Sequence, residues 1–422
     1  MAGRPPGGER VRPAAPRRAG PGFPRFGGRP AKVGPVPTPA GDEGDMDDIL
    51  ETRAPGQDRC PPLAAVPQAE PVTIRLPPLG RGLAATRHPQ AAEVSARVLE
   101  WADRHLTFLP LSEEDLRYSL RPVVLFPEWA FPSASVERFA DLSAFTTYFF
   151  AIDDTLDNLR CGEGDDEDDD EGFGHGELIR SAVDACVRAH HGDPDLTSPW
   201  GAAYADVLDG VRRRMTPEQY TRLTAVCEEW FDACVRALDA PLKDPDLETY
   251  LADRLLTAAA EAAVGLVEYA TATDVAGLRR SDADLEAVCQ ASRRFGVLVN
   301  DLFSYRRDLF SGGPVVNAVT VLRQSEGLGL QGAVDRLCEE LDAAEAALHT
   351  AHDKVLAGPL GARPDVRAFV KGILEMTAGN LRFSATTPRY HGARLGLDPH
   401  EGSILRLTAE RTVVLSVEER AG

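Results

Sequence analysis

Cysteine is sparse in this sequence. The seven cysteines, at positions 60, 161, 186, 227, 234, 289 and 338, are odd in number and form no C-x-x-C pair. That excludes a disulfide framework and leaves reduced, buried thiols in a cytoplasmic protein as the expectation. Long apolar runs are missing as well. No stretch of about 20 residues is apolar throughout, so no membrane span is expected. The start, Met1-Ala2-Gly3-Arg4-Pro5-Pro6, has a basic residue but no apolar run behind it, which argues against a secretory signal. Positive charge is in deficit: the formal net charge is −20, which argues against nucleic-acid binding. No run shows the alternation and β-branched enrichment of strands. The histidines show no paired metal spacing, and His190-His191 reads as a loop.

What is present divides in two. Residues 1–70 read as a disordered tail, because Pro and Gly supply 18 of the first 40 positions and no hydrophobic period exists there. Eight basic side chains against one acid in those 40 leave the remainder near −27. The tail is read as a solvated extension or as a docking segment for a partner, scaffold or shell. Residues 71–422 read as one α-helical domain. Helical spacing predicts helices over 91–105, 135–158, 177–190, 217–238, 246–270, 285–310, 330–355 and 364–383. The expected fold is an all-α bundle around a central apolar cavity.

Two acidic clusters end apolar helical runs. Asp153-Asp154-Thr155-Leu156-Asp157 follows Phe145–Ile152, and Asn300-Asp301-Leu302-Phe303-Ser304-Tyr305-Arg306-Arg307-Asp308 follows Phe295–Val299. Carboxylates there are costly unless something compensates them. Oxygen-only ligands point to Mg²⁺. Helical periodicity puts Asp153 and Asp157 on one face, with Phe149 a turn below. It lines up Asn300, Ser304 and Asp308 at i, i+4 and i+8, with Arg307 on the same edge and Tyr305 and Arg306 directed elsewhere. A metal edge carrying a cation suits a phosphate-bearing ligand. Two further formal matches to an aspartate-rich motif, at Asp47–Glu51 and within the eight carboxylates of Glu163–Glu171, follow no long apolar helix. They are read as solvated.

These residues resemble the class I terpene synthases (terpene cyclases), in their bacterial form. Asp153, Asp154 and Asp157 match that family's DDxxD motif. Asn300, Ser304 and Asp308 match its N-D-x-x-S-x-x-x-E triad, with Asp for the final Glu. Tyr250-x-x-x-Arg254-x-x-Thr257 matches the setting of its diphosphate-sensing arginine, 46 residues before Asn300, and Arg389-Tyr390 matches its closing Arg-Tyr pair. The likeness spans roughly residues 72–395, including Ile74–Pro78 and Asn317-Ala318-Val319. Phe383 stands where many relatives carry Trp. The resemblance implies a class I terpene synthase-like bundle and a linear isoprenyl diphosphate substrate, farnesyl or geranylgeranyl. It implies Mg²⁺, three ions in the expected count, on Asp153, Asp157, Asn300, Ser304 and Asp308. Arg254, Arg307, Arg389 and Tyr390 are expected to bind the diphosphate, with Asp153, Arg254, Asn300, Ser304 and Asp308 as the catalytic set. Phe149 is a cavity candidate, as are Thr257 and Ala258, which fall at the family's helix break. A homodimer is left open. Two other readings compete: a chain-elongating prenyltransferase, which would need a second aspartate-rich motif, and a degenerate cyclase kept as a binding or scaffold protein.

Overall fold

The computed structural model describes residues 70–109, 120–161, 175–239, 242–310 and 317–415, with side chains on the helix ends 156–161, 175–178 and 238–239 set aside. The tail, the acidic segment 163–171 and the motif match at Asp47–Glu51 lie outside the described residues.

Helices dominate, as the periodicity predicts. They are α1 (Ala91–His105), α2 (Leu125–Ala130), α3 (Val136–Cys161), α4 (His175–His190), α5 (Pro199–Arg212), α6 (Pro217–Asp239), α7 (Leu247–Thr257) and α8 (Ala260–Thr271). After these come α9 (Ala276–Arg279), α10 (Ala283–Phe310), α11 (Ala318–Ser325), α12 (Leu330–Ala357), α13 (Pro364–Thr386) and α14 (Pro388–His391). Local chemistry sets several starts. Ser198 accepts from the Gly201 N–H ahead of Pro199, Asp246 from Thr249, and Thr387 from Arg389 ahead of Pro388. Each supplies an oxygen to an otherwise unpaired first-turn N–H.

The single helix expected over 246–270 is two. Ala258 leaves helical geometry and Ala259 takes a left-handed φ of 51°, a conformation that costs an L-residue about 1–2 kcal/mol. Helices α2, α5, α9, α11 and α14 are additional to those expected. His190 is not in a loop: it closes α4 and is buried, with Nδ1 against Glu228 (2.9 Å) and Nε2 against the Tyr204 hydroxyl (2.7 Å).

Helix α10 is the spine. It runs against α12 and α13 for much of its length and also meets α7, α8, α11 and α14. Its buried stripe includes Leu285, Val288, Ser292, Phe295, Val299 and Leu302, a 3.6-residue period facing the core. Helix α13 in turn lies on α2 so closely that a Cβ at Gly379 would sit 2.2 Å from the Trp129 carbonyl oxygen, so only glycine fits. Among the described residues no helix is long and apolar enough to cross a membrane.

A small sheet corrects the expectation of no strands. Strands β1 (Val72–Leu76), β2 (Ser403–Leu407) and β3 (Thr412–Val414) form an antiparallel sheet in the order β1-β2-β3, with Val72 opposite Leu407 and Leu405 opposite Val414. Buried Ile74 and Leu76 alternate with exposed Thr73 and Arg75, but five residues ending at Pro77 are too short for a period to declare itself. The sheet joins the two ends of the described chain beside α14.

That junction contains a buried imidazole. His391 places Nε2 at 2.9 Å from the Ser384 carbonyl and Nδ1 at 3.0 Å from the Thr412 hydroxyl. A carbonyl can only accept, so Nε2 carries the proton and Nδ1 accepts from Thr412. Burial pushes the pKa of His391 down to about 4. The unfolded chain takes up a proton near pH 6.5 that the native state refuses, so stability falls as pH drops below that value and levels off below about 4. This histidine should therefore account for about 2 kcal/mol of stability lost between pH 7.5 and pH 5. Urea unfolding of wild type and His391→Gln across that range checks it. The wild-type curve should be steeper by that amount, and parallel curves would contradict the assignment.

Candidate active site

Two helix ends and one short helix build the site. Helix α3 presents Asp153 and Asp154, α10 presents Asn300 to Asp308, and α14 presents Arg389 and Tyr390. The side chain of Asp157 lies outside the described residues.

Asp154 is the junction. Its carboxylate accepts from both Nη atoms of Arg389, each at 2.6 Å, and from Nη2 of Arg307 at 2.8 Å. It is almost fully buried, as is Arg389. Burial pushes its pKa up, but the two guanidinium groups more than reverse this and hold it below the ordinary carboxylate range. Asp153 differs: its side chain is 38% exposed, 3.9 Å from Arg389 Nη2. Of the two adjacent aspartates, one is committed to arginine and the other faces the mouth.

The α10 edge is tied in the same way. Asn300 donates from Nδ2 to the Tyr390 hydroxyl at 2.6 Å and accepts at Oδ1 from Arg254 Nη2 at 2.8 Å. A guanidinium only donates, which orients the amide with its oxygen toward Arg254. Arg254 also gives Nε to Asp301 at 3.0 Å. Buried Asp301 accepts from the Tyr250 hydroxyl (2.6 Å) and the Ala318 N–H (3.0 Å) as well. Tyr250 and Arg254, four apart on α7, thus grip one carboxylate. Burial works against the charge on Arg254, but Asp301 overrides it and keeps its pKa well above the usual value.

Ser304 donates to Asp308 Oδ2 at 2.9 Å, and Asn317 Nδ2 donates to the same oxygen at 2.8 Å. Asn317 also caps α11 by accepting from the Val319 N–H. Burial raises the pKa of Asp308 to about 6, against the opposing pulls of Asn317, Arg307 and Ser304. This carboxylate has less positive charge around it than its burial demands.

An amide oxygen, a hydroxyl and an under-compensated carboxylate stand on successive turns of one helix edge. All are oxygen, so the set fits a hard divalent cation. Among the described residues no three His, Cys, Asp or Glu side chains gather as a metal site. The candidate set combines one carboxylate with amide and hydroxyl ligands instead.

Below Asp153 lies a wall of rings. Phe149 stacks between Phe145 (4.4 Å) and Trp230 (4.7 Å). The Trp230 indole N–H donates to the Thr257 carbonyl at 2.9 Å, at the break between α7 and α8. Thr257 and Ala258 are half-buried there. Phe150 carries the Arg389 guanidinium over its face at 4.8 Å, a cation–π contact. Phe383 is buried edge-on to Tyr390. A surface groove of about 290 Å³ between β1 and α12, lined in part by Arg75, Gln331 and Asp335, shares no residue with either acidic cluster.

The sequence points to the Asn300, Ser304 and Asp308 edge but gives no role to Tyr250, Asp301 or Asn317, and none to Asp154 beyond helping to organise the mouth; these four hold the arginines and the edge in place. The available signal was the spacing of Tyr250 and Arg254 at i and i+4, facing the carboxylate beside Asn300.

Residues 144–347 match the family model described as terpene synthase family 2, C-terminal metal binding. Both acidic clusters and Arg254 fall within that range. The chain is 26% identical over 322 residues to spiroviolene synthase of Streptomyces violens, covering 75% of this chain and 86% of that protein. It is 25% identical over 353 residues to (E)-2-epi-beta-caryophyllene synthase of Selaginella moellendorffii, covering 79% and 90%. In fold it is similar to the crystal structure of germacradien-4-ol synthase from Streptomyces citricolor, with a TM-score of 0.61 at 20% identity over 72% of this chain and 97% of that one. The metal-binding family model, the curated relatives and the helical fold together support a bacterial class I terpene synthase, and the curated relatives are named synthases of that lyase type.

Proposed function

We propose that the protein is a Mg²⁺-dependent terpene cyclase. It takes a linear isoprenyl diphosphate, farnesyl or geranylgeranyl, ionises it, and cyclises the resulting cation with release of diphosphate. One observation carries the reading: Arg307 and Arg389 converge on Asp154 while Tyr390 holds Asn300, so the two acidic motifs and the closing Arg-Tyr pair form one mouth.

In this reading Asn300, Ser304 and Asp308 hold one Mg²⁺, and Asp153 with Asp157 serves the others, three in all. When bound, the cations supply Lewis-acid stabilisation of the departing diphosphate. The protein's own groups do the rest. Arg254, Arg307 and Arg389 bind phosphate oxygens, and the Tyr390 hydroxyl adds a hydrogen bond. Asp154 and Asp301 hold those guanidinium groups in place beforehand, so little reorganisation is needed as charge develops. The carbon–oxygen bond breaks with its electron pair leaving on the diphosphate, and an allylic cation remains. In this reading an apolar chamber below the mouth shields that cation from water and folds the chain for ring closure. Phe149, held face to face by Phe145 and Trp230 with the Thr257–Ala258 break beside it, belongs in this reading to the apolar wall below the mouth. A homodimer and a docking role for residues 1–70 belong to the same proposal.

Incubation with geranyl, farnesyl and geranylgeranyl diphosphates and MgCl₂, followed by gas chromatography–mass spectrometry, should yield cyclic hydrocarbons or alcohols from one of the two longer substrates. Elongated diphosphates, or substrates left intact, would contradict the proposal. Asn300→Ala should lower turnover by about a hundredfold or more while costing only about 1 kcal/mol of stability, because it removes a ligand and not core volume. Asp154→Asn should cost stability as well, about 3 kcal/mol, because it leaves the buried Arg389 guanidinium, and the part-exposed Arg307 beside it, short of their counter-charge. Paired turnover and unfolding measurements separate the two. Near-native turnover in Asn300→Ala, or an unchanged unfolding midpoint in Asp154→Asn, would contradict these roles.

A further inference from the structure

Arg306 stands between Tyr305 and the site residue Arg307 but turns away from the mouth. It is buried, and its donors go to backbone carbonyls alone among the bonds observed: Nε to Thr408 at 3.0 Å, Nη1 to Tyr390 at 3.2 Å and Nη2 to Ala409 at 2.5 Å. Two of these carbonyls belong to the tight turn between β2 and β3, closed by the Thr408 N–H on the Arg411 carbonyl. The third belongs to Tyr390. The same turn lies directly on the end of α14. A Cβ at Gly392 would meet the Glu410 carbonyl oxygen at 2.0 Å, and Gly392 itself has a φ of +71°. Thr412, one residue past the turn, reaches His391.

Helix α14 has four residues, a single turn, and a single turn has no stability of its own. The direction in which it aims Arg389 and Tyr390 is therefore set by what grips it. On one side are Asp154 and Asn300. On the other are Arg306, the 408–411 turn and Thr412. Helix α10 thus holds α14 twice, through Asn300 at the mouth and through Arg306 behind it. A lysine has the charge but not the planar fork needed to reach three carbonyls at fixed angles.

We propose that Arg306, acting with the 408–412 strap, is a positioning residue that aims Arg389 and Tyr390 at the diphosphate. This rests on the reading of Arg389 and Tyr390 as diphosphate ligands. The strap residues touch no reacting atom; they fix the backbone behind the two that do.

The test is calorimetric binding of inorganic pyrophosphate, in MgCl₂, to the full-length protein and its variants, with thermal melting in parallel. Arg306→Met should weaken pyrophosphate binding by about tenfold to a hundredfold, and Arg306→Lys should stay weakened. Arg389→Lys should weaken binding too, and adding Arg306→Met to it should cost no more than about threefold further, because Arg306 acts mainly through the Arg389 guanidinium and only the part that acts through Tyr390 is left to lose. Thr412→Val keeps the volume and loses only the hydroxyl that His391 accepts from. It should weaken binding by a smaller factor, and it decides the matter if Arg306→Met fails to fold. Wild-type affinity in the folded Arg306 and Thr412 variants, fully additive losses, or full rescue by lysine would overturn the strap's role and leave the diphosphate reading standing. An Arg389→Lys variant that binds pyrophosphate normally would overturn that reading, and this inference with it.

Discussion

The buried contact between Asp154 and the guanidinium groups of Arg389 and Arg307 is what the rest of the site depends on. Three elements distant in sequence meet there: the end of α3, the last turns of α10 and the single turn of α14. A pair this buried is a poor source of net stability, since removing both charges from water costs nearly what their attraction returns. Its value is geometric. Bidentate pairing fixes the plane and reach of Arg389, and Arg307 shares the same carboxylate. Asp153, one residue earlier, is left half-exposed at the mouth. Adjacent aspartates of identical chemistry are divided by burial alone into a structural anchor and a candidate ligand.

The same logic recurs on α10. Asn300, Ser304 and Asp308 line one edge, while Asp301, one position along, points inward to hold Arg254, Tyr250 and the start of α11. Arg307 faces the mouth and Arg306 the C-terminal strap. Consecutive residues on a helix differ by about 100° in direction, so one segment serves both the site and its supports. The small β-sheet has a place in this account too. By pairing residues near 72 with residues near 405, it anchors the turn that packs behind Arg389 and Tyr390.

Much of this was legible in the sequence, for definite reasons. The long helices follow from the period of their apolar residues, and the shared edge of Asn300, Ser304 and Asp308 follows from i, i+4, i+8 spacing within one helix. Both are local properties. The contacts that set the arginines are not. Asp154 to Arg389 spans 235 residues and Arg254 to Asp301 spans 47, and no periodicity reports such pairings. Asp154 and Asp301 could be seen as motif members but not as anchors, because their roles depend on which way a buried carboxylate turns. The strands escaped notice because five residues cannot display a period. His190 was misread because a paired histidine at a helix end looks like a loop until Tyr204 and Glu228 are brought to it.

In the proposed enzyme the aspartate-rich end of α3 and the Asn300 edge of α10 face one another across a shared, metal-bound diphosphate. Crystals grown with MnCl₂ and pyrophosphate, examined by anomalous diffraction, test it most directly. Anomalous peaks are expected beside Asn300, Ser304 and Asp308 and beside Asp153, joined by one pyrophosphate within reach of Arg254, Arg307 and Arg389. Manganese found only on the acidic 163–171 segment, or pyrophosphate bound away from these arginines, would contradict it.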